Sequence, residues 1–230
     1  MNNWYHSGQI EDGNVGRNLI ETCDLPVKFR DIEKSDYATF WCYLDLQILQ
    51  RFQCYIGVYK GVERIIMPVY KRGQSVFFSA RITEKEWQRA EGNPMVRKYE
   101  TPYGVRKQYW ISNENPSIFS TVFICEGVAD SLYMSQFGTS IGLMGTVYDG
   151  SLDDFLKQVS KIVICFDNDL VGNLSSIKIA KYLSNITDKV KLLMLDKDRD
   201  PVDYTSYAML KILSEYVSVP TKLSTTFMGD

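Results

Sequence analysis

Histidine is almost missing from this chain of 230 residues: His6 is the only one. Chemistry that needs an imidazole, as a general base or a metal ligand, therefore has one candidate. That residue sits in a polar stretch, MNNWYHSGQIEDG, that reads as surface. Five cysteines, Cys23, Cys42, Cys54, Cys125 and Cys165, show no C-x-x-C spacing. This excludes zinc-ribbon and zinc-finger patterns and reads as reduced thiols of a cytoplasmic protein. A G-x-x-x-x-G-K-[ST] phosphate loop is absent too, so a Walker-type nucleotide site is not expected. No apolar run approaches the ~20 residues that span a bilayer, and the first residues are too polar for a secretion signal. Strong net charge is also lacking, at −2 overall. The distribution says more. Lys60–Trp110 holds eleven Lys/Arg against five Asp/Glu (net +6), whereas Thr121–Asp203 holds eight against twelve (net −4). A basic segment followed by an acidic one suits a polyanion held beside a metal site.

The organising stretch is KIVICFDNDLVG, Lys161 to Gly172. Its short apolar run, mostly β-branched, has the pattern of a fully buried strand. The run ends at two carboxylates one residue apart, Asp167 and Asp169, and Gly172 opens a helical pattern. Such a strand delivers charge to the carboxyl edge of a parallel sheet, where open α/β folds place their ligands. Two carboxylates ~5 Å apart repel by roughly 3 kcal/mol at an effective dielectric of ~20. The pattern makes sense when a cation belongs to the working state, and an all-oxygen set favours Mg2+ or Mn2+ over zinc. Val122–Cys125 reads as a matching strand, followed by Glu126-Gly127 and a helix beginning near Asp130. A third acidic cluster, LDKDRDPVDY, follows a strand over 190–195 and offers Asp196, Asp198, Asp200 and Asp203.

In chain order, residues 1–35 are loop-rich, with Gly8, Gly13, Gly16 and Pro26, and have no assigned role. Phe40, Tyr43, Leu44, Ile48 and Leu49 at helical spacing predict a helix from Tyr37 to about Phe52, capped by Asp36. Strands are predicted over 54–58, 64–70 and 75–81, broken by Gly61 and the Lys71-Arg72-Gly73 turn. The segment EGNPMVRKYETPYGVRKQYW interleaves aromatics with Arg97, Lys98, Arg106 and Lys107. That mixture suits single-stranded nucleic acid, and equally a basic loop with buried tyrosines. Asn113–Pro116 is the best boundary. Beyond it the pattern alternates: strand 121–125, helix 128–137, strand 139–143, helix 151–158, strand 161–166, helix 172–184, strand 189–195, helix 202–217, with an exposed tail after Val219. Alternation with short connections predicts a parallel sheet flanked by helices. Gly145, just past the second of these strands, would let a ligand approach bare backbone.

EGVAD, FDNDLVG and RDPVDY, in that order, resemble the TOPRIM domain shared by bacterial-type primases, topoisomerases and some nucleases. Glu126 (with Gly127), Asp167 and Asp169 map directly onto that pattern, and Asp130 matches an acidic residue four after the glutamate. Gly145-Thr146 resembles the Gly-Thr after the second strand of primases. RIIMPVYKRGQSVFFSARI is similar to the strand pair that precedes TOPRIM in primases, with Arg64, Pro68, Gly73 and Arg81 in place. Lys98-Tyr99 and Lys107 resemble basic positions that follow, and RDPVDY carries over Asp200 and Asp203. The likeness covers roughly 37–208. It departs at Tyr43-Leu44-Asp45-Leu46, where many relatives have Arg-Gly after Tyr-Leu, and at Val202, a commonly acidic position.

The resemblance implies an α/β fold: a Rossmann-like TOPRIM parallel sheet over 116–208, preceded by a smaller mixed α+β basic subdomain over 1–115. Residues 209–230 would be a helix end and tail. It implies a phage-type DNA primase core that makes short RNA primers, working in a bacterial cytoplasm and without a membrane. Glu126, Asp167 and Asp169 would be catalytic. Together with Asp130, Asp200 and Asp203 they would hold Mg2+ or Mn2+, with no zinc. Arg64, Arg81, Lys98, Lys107, Gly127 and Gly145 would face nucleotide or DNA. Implied partners are single-stranded DNA, NTPs, a replicative helicase and a separate zinc-containing module. A TOPRIM nuclease using the same carboxylates, or a non-catalytic replisome subunit, are the alternatives; a type IA topoisomerase would need gate domains for which the chain has no room.

Overall fold

A computed structural model describes residues 22–91, 93–118 and 120–215. His6, Gly8, Gly13, Gly16, the end of the helix predicted over 202–217 and the tail after Val219 lie outside them.

The first sheet is antiparallel. Its strands lie in sequence order: β1 (Lys28–Arg30), β2 (Tyr55–Tyr59), β3 (Val62–Lys71), β4 (Gln74–Ile82) and β5 (Tyr99–Glu100). The three longest match the predicted strands. Two-residue turns join them, Lys60-Gly61 and Arg72-Gly73, with φ of 51°, 80°, 50° and 78°. Positive φ at both central positions is the hairpin turn whose twist suits the flanking strands, and Gly takes the second place without strain. Pro68 sits inside β3 without weakening it. The pairing of β2 with β3 stops at Tyr55↔Ile66, so the missing N–H falls where no partner strand reaches.

The helix predicted over 37–52 is replaced by a 3-10 turn (Lys34–Asp36), irregular turns, and a short α1 (Leu46–Arg51). Asp36 is not its cap. The buried Asp36 carboxylate accepts two hydrogen bonds from Arg30, at 2.8 and 2.6 Å, and one from the Glu33 N–H at 2.8 Å. Lys34 Nζ donates to the carbonyls of Cys42 and Leu44, both at 3.0 Å, which ends any helix there. Asp45 caps α1 instead, accepting from the Gln47 N–H at 2.8 Å. A further short helix, α2 (Glu84–Arg89), begins at Thr83.

The second sheet has the order β10-β9-β7-β8-β6. Its strands are β6 (Trp110–Ile111), β7 (Thr121–Cys125), β8 (Thr139–Gly142), β9 (Lys161–Cys165) and β10 (Val190–Leu192). All run parallel except β6, which pairs antiparallel with β8. The boundary expected at 113–116 thus falls between two strands of one sheet. Helices α3 (Val128–Met134), α4 (Asp153–Gln158), α5 (Leu170–Ser184) and α6 (Ser206–Glu215) alternate with the parallel strands much as the pattern predicts. A parallel sheet needs cover on both faces. Ile162, Ile164, Val122 and Ile124 pack under α4 and α5 with Leu156, Ile179 and Leu183. On the other face Phe123, Val163, Leu132 and Met209 join Ile56, Ile65 and Met67 of the first sheet in one core. Each fully buried side chain of this size contributes ~1.5–3 kcal/mol. The two sheets are therefore fixed to each other through apolar contact, which holds the groove between them open.

Candidate active site

Three strand ends meet at one edge of the parallel sheet. β7 leads into Glu126-Gly127, and Asp130 follows in the first turn of α3. β9 leads into Asp167, with Asp169 capping α5. Gly172 is required there: a Cβ on it would stand 2.2 Å from the Asp167 carbonyl oxygen. Past β10 the chain returns as a loop. Asn168 ties it down, donating its backbone N–H to the Arg199 carbonyl (3.1 Å) and its side-chain amide to the Leu195 carbonyl (2.5 Å). This staple brings Asp200 beside Asp167.

Carboxylate oxygens of Asp130, Asp167 and Asp200 all lie within 4.8 Å of one another, the single such metal-type cluster among the described residues. Burial and mutual repulsion disfavour their charges. Desolvation first, and then the Asp200 charge, push Asp130 up to about 7; desolvation and the charges of Asp130 and Asp200 push Asp167 up to about 8. Glu126 and Asp200 are raised for the same reasons. Asp130 Oδ1 and Asp167 Oδ1 are buried without any hydrogen-bond partner. Orphaned, crowded, all-oxygen donors fit a hard divalent cation.

A cavity of about 550 Å³ opens over this cluster. Glu126, Gly127, Asp130, Gly145, Asp167 and Asp200 form one wall; Phe40, Trp41, Ser79, Arg81, Lys98, Tyr99 and Thr101 form the opposite one. Arg81 is buried there without a carboxylate partner. Its guanidinium lies 4.0 Å from the Phe40 ring centre, 5.1 Å from Trp41 and 4.9 Å from Tyr99. Its Nε has no partner at all. Rings stacked on a guanidinium hold its plane while leaving its edge available to an anion. Lys98 Nζ stands 5.5 Å from the Trp87 ring centre. Lys107 reaches the acidic side, its Nζ 3.1 Å from where a Cβ on Gly145 would be. Burial lowers its pKa, against the charges of Asp149 and Glu126.

Three of the residues carried over from the sequence sit differently. Arg64 is buried away from the cavity, donating to the carbonyls of Tyr59, Ala80, Arg97 and Lys98 at 3.0–3.5 Å. These bonds join β3 to β4 and to the segment before β5, and Arg64 is not among the residues that line the cavity. Asp203 does not line the cavity either. It accepts the Asp200 N–H at 3.0 Å, and Asp200 accepts the Asp203 N–H in return, so Asp203 orients Asp200. Asp169 accepts the Gly172 N–H at 2.7 Å and adds its charge to the cluster from behind. Conversely, sequence reasoning uses Phe40 only as an apolar position of a predicted helix and passes over Trp41, Ser79 and Thr101. Nothing local points to a role for them, because Arg81 meets the two aromatics only through the folded sheet.

Residues 123–205, the parallel sheet with carboxylates converging from three strand ends, match the Toprim-like family. A DNA primase of Clostridium acetobutylicum is 23% identical over 167 residues, which cover 68% of this chain and 27% of that protein. The chain therefore spans about a quarter of the curated primase that it matches. In fold, it is similar to the RNA polymerase domain of Mycobacterium tuberculosis primase DnaG, with a TM-score of 0.61 and 15% identity over 80% of this chain and 75% of that one. The primase fragment of the bacteriophage T7 primase-helicase protein aligns with a TM-score of 0.55 and 13% identity over 75% and 70%. The fold is that of a primase catalytic core. No helix of the described residues is long and apolar enough to cross a membrane.

Proposed function

We propose that this chain is the catalytic core of a DNA primase, joining ribonucleotides into short primers on a single-stranded DNA template. The observation that carries the reading is the pairing of walls: unpartnered carboxylate oxygens of Asp130 and Asp167 on one side, Arg81 with an unpartnered Nε and no carboxylate on the other. Mg2+ or Mn2+, held by Asp130, Asp167 and Asp200 with Glu126 beside them, would lower the energy of charge developing on phosphate in nucleotidyl transfer. Around that chemistry the chain's own groups act by position. Arg81 and Lys98 hold the triphosphate or the template backbone against the first-sheet wall. Lys107 and the bare backbone at Gly145 meet phosphate from the other side, and Tyr99 offers a face for a base. No side chain serves as nucleophile. A replicative helicase and a separate zinc-containing module are the partners that such a core would use, in a phage or mobile-element setting.

The test is synthesis itself. The purified chain is incubated with single-stranded DNA, labelled NTPs and Mg2+ or Mn2+, beside an Asp167→Asn control. Short metal-dependent products that vanish in the control support the reading. Cut DNA without primers transfers the same carboxylates to a nuclease. Silence, even with helicase and zinc module added, points to a non-catalytic replisome subunit.

A further inference from the structure

The segment 143–152, between β8 and α4, supplies Met144 and Gly145 to the cavity. Its backbone is held in uncommon conformations, with φ of 54° at Met144, 137° at Gly145 and 80° at Gly150. A side chain as large as methionine rarely adopts the left-handed region, and it stays there only when the surroundings enforce it. At the near end the N–H groups of Leu143 and Gly145 donate to the carbonyls of Cys125 and Glu126, both at 3.0 Å. At the far end the holding group lies outside the cavity. Asp153 accepts the Tyr148 hydroxyl at 2.8 Å on one oxygen and the Tyr182 hydroxyl at 2.6 Å on the other. The Tyr148 ring lies between Tyr109, at 6.0 Å, and Tyr182, at 5.8 Å. The Tyr109 hydroxyl in turn accepts the Asp149 N–H at 2.8 Å. Tyr182 belongs to α5, the helix that Asp169 caps. One carboxylate thus ties the loop bearing Gly145 to the last turn of α5, the helix whose first turn lies at the acidic cluster.

We propose that Asp153, with Tyr148 and Tyr182, is a positioning residue: it sets the distance between the acidic cluster and the Gly145 backbone with its adjacent Lys107, and so tunes the fit of a nucleoside triphosphate. The inference deepens the reading of the cavity as a metal and nucleotide site, and rests on it. Neither Asp153 nor its tyrosines reaches the reacting groups. Their effect passes through the loop, so it should fall on triphosphate affinity and spare the carboxylates that hold metal.

The experiment uses the whole chain and the variants Asp153→Asn, Tyr182→Phe and the two combined. Three quantities are read: binding of a fluorescent GTP with magnesium by anisotropy, the rise in melting temperature on adding magnesium alone, and KM against kcat in primer synthesis. Each single variant should weaken GTP binding and raise KM about tenfold, and the double variant little more, since the two groups form one contact. The magnesium-induced rise and kcat should stay near those of the unaltered chain, and Asp153→Glu should recover part of the affinity. Unchanged affinity in the variants overturns the proposal. So does loss of the magnesium response together with affinity, which would mean general collapse of the site, and so does an unaltered chain that binds no GTP. If that chain binds GTP yet makes no primers, the primase reading fails by itself and affinity alone decides the positioning role of Asp153.

Discussion

Replacing Asp167 by asparagine should make the metal-free protein more stable and the metal-loaded one less so. Carboxylate oxygens of Asp130, Asp167 and Asp200 lie within 4.8 Å of one another. At that spacing and an effective dielectric of ~20, each pair of full charges costs roughly 3 kcal/mol, and Asp167 enters two pairs, for a ceiling of about 6 kcal/mol. Much of that cost is already relieved, because burial and its neighbours push Asp167 up to about 8 and Asp130 up to about 7, so protons occupy the cluster near neutrality. What remains for Asp167→Asn to recover is about 1–2 kcal/mol, or about 3–6 °C in melting temperature for a chain of this size. The amide keeps the shape of the carboxylate and donates a hydrogen bond to Asp200, so no cavity offsets the gain. Added magnesium acts in the opposite sense. A ligand at a hundred times its Kd stabilises by about 2.7 kcal/mol, and the variant, short of a charged ligand, gains little of it. The assay is thermal unfolding followed by circular dichroism, with chelator and then with excess magnesium. The stability order of the two proteins should reverse between the two conditions. An asparagine variant that is less stable in chelator, and that still shows the full magnesium response, would falsify the account of these residues as a repelling metal cluster.

The same groups predict a pH dependence with a definite sign. Asp130 and Asp167 keep protons in the folded state that the unfolded chain has released, so the metal-free protein should lose stability as pH rises from about 4 to about 8 and level off above; melting temperature against pH in chelator checks this, and a flat or rising profile refutes it. Gly172→Ala should cost about 2 kcal/mol or more, because its Cβ would stand 2.2 Å from the Asp167 carbonyl oxygen, and equilibrium denaturation measures it. Arg64→Leu removes hydrogen bonds to four carbonyls, of which that of Lys98 keeps the Ile82 N–H at 3.0 Å, and should destabilise by about 3 kcal/mol, while GTP affinity and the magnesium response stay unchanged; a selective loss of GTP binding would restore Arg64 to the nucleotide site.

The parallel sheet and its acidic edge were legible in the sequence because both are local facts. A β-branched apolar run followed at once by Asp-x-Asp carries its own statement of burial and of where burial stops, and KIVICFDND and TVFICEG each say so without help from elsewhere in the chain. Which carboxylates converge is a different kind of fact. Asp130 joins the cluster because one turn of α3 returns it to the strand end, and Asp169 is drawn behind by the Gly172 N–H at 2.7 Å. Asp203 looks as acidic as Asp200, yet a reciprocal pair of backbone hydrogen bonds leaves one of them facing the cavity and the other supporting it. Asp36 and Asp45 posed the same choice at α1. Both precede apolar residues at helical spacing, and Arg30, arriving from β1, settled which carboxylate was free to cap.

The Arg81 wall shows why such choices are invisible in one dimension and still matter for function. A guanidinium with rings at 4.0, 5.1 and 4.9 Å has no ion pair to neutralise it, although an acidic cluster lines the same cavity. An Arg–Asp pair would relieve both groups at once and close the cavity. The shared core of the two sheets prevents that closure, with Met67 and Ile65 packed in one cluster with Phe123 and Val163, so the opposite charges are held apart by apolar contact. Unpartnered carboxylate oxygens on one wall and a guanidinium with a free Nε on the other suit the guest proposed above, a cation and a polyanion bound together as in a metal–triphosphate complex. Arg81 and Lys98 from the basic half and Glu126, Asp130, Asp167 and Asp200 from the acidic half thus face each other across this cavity, and the core between the sheets is what keeps them from neutralising each other.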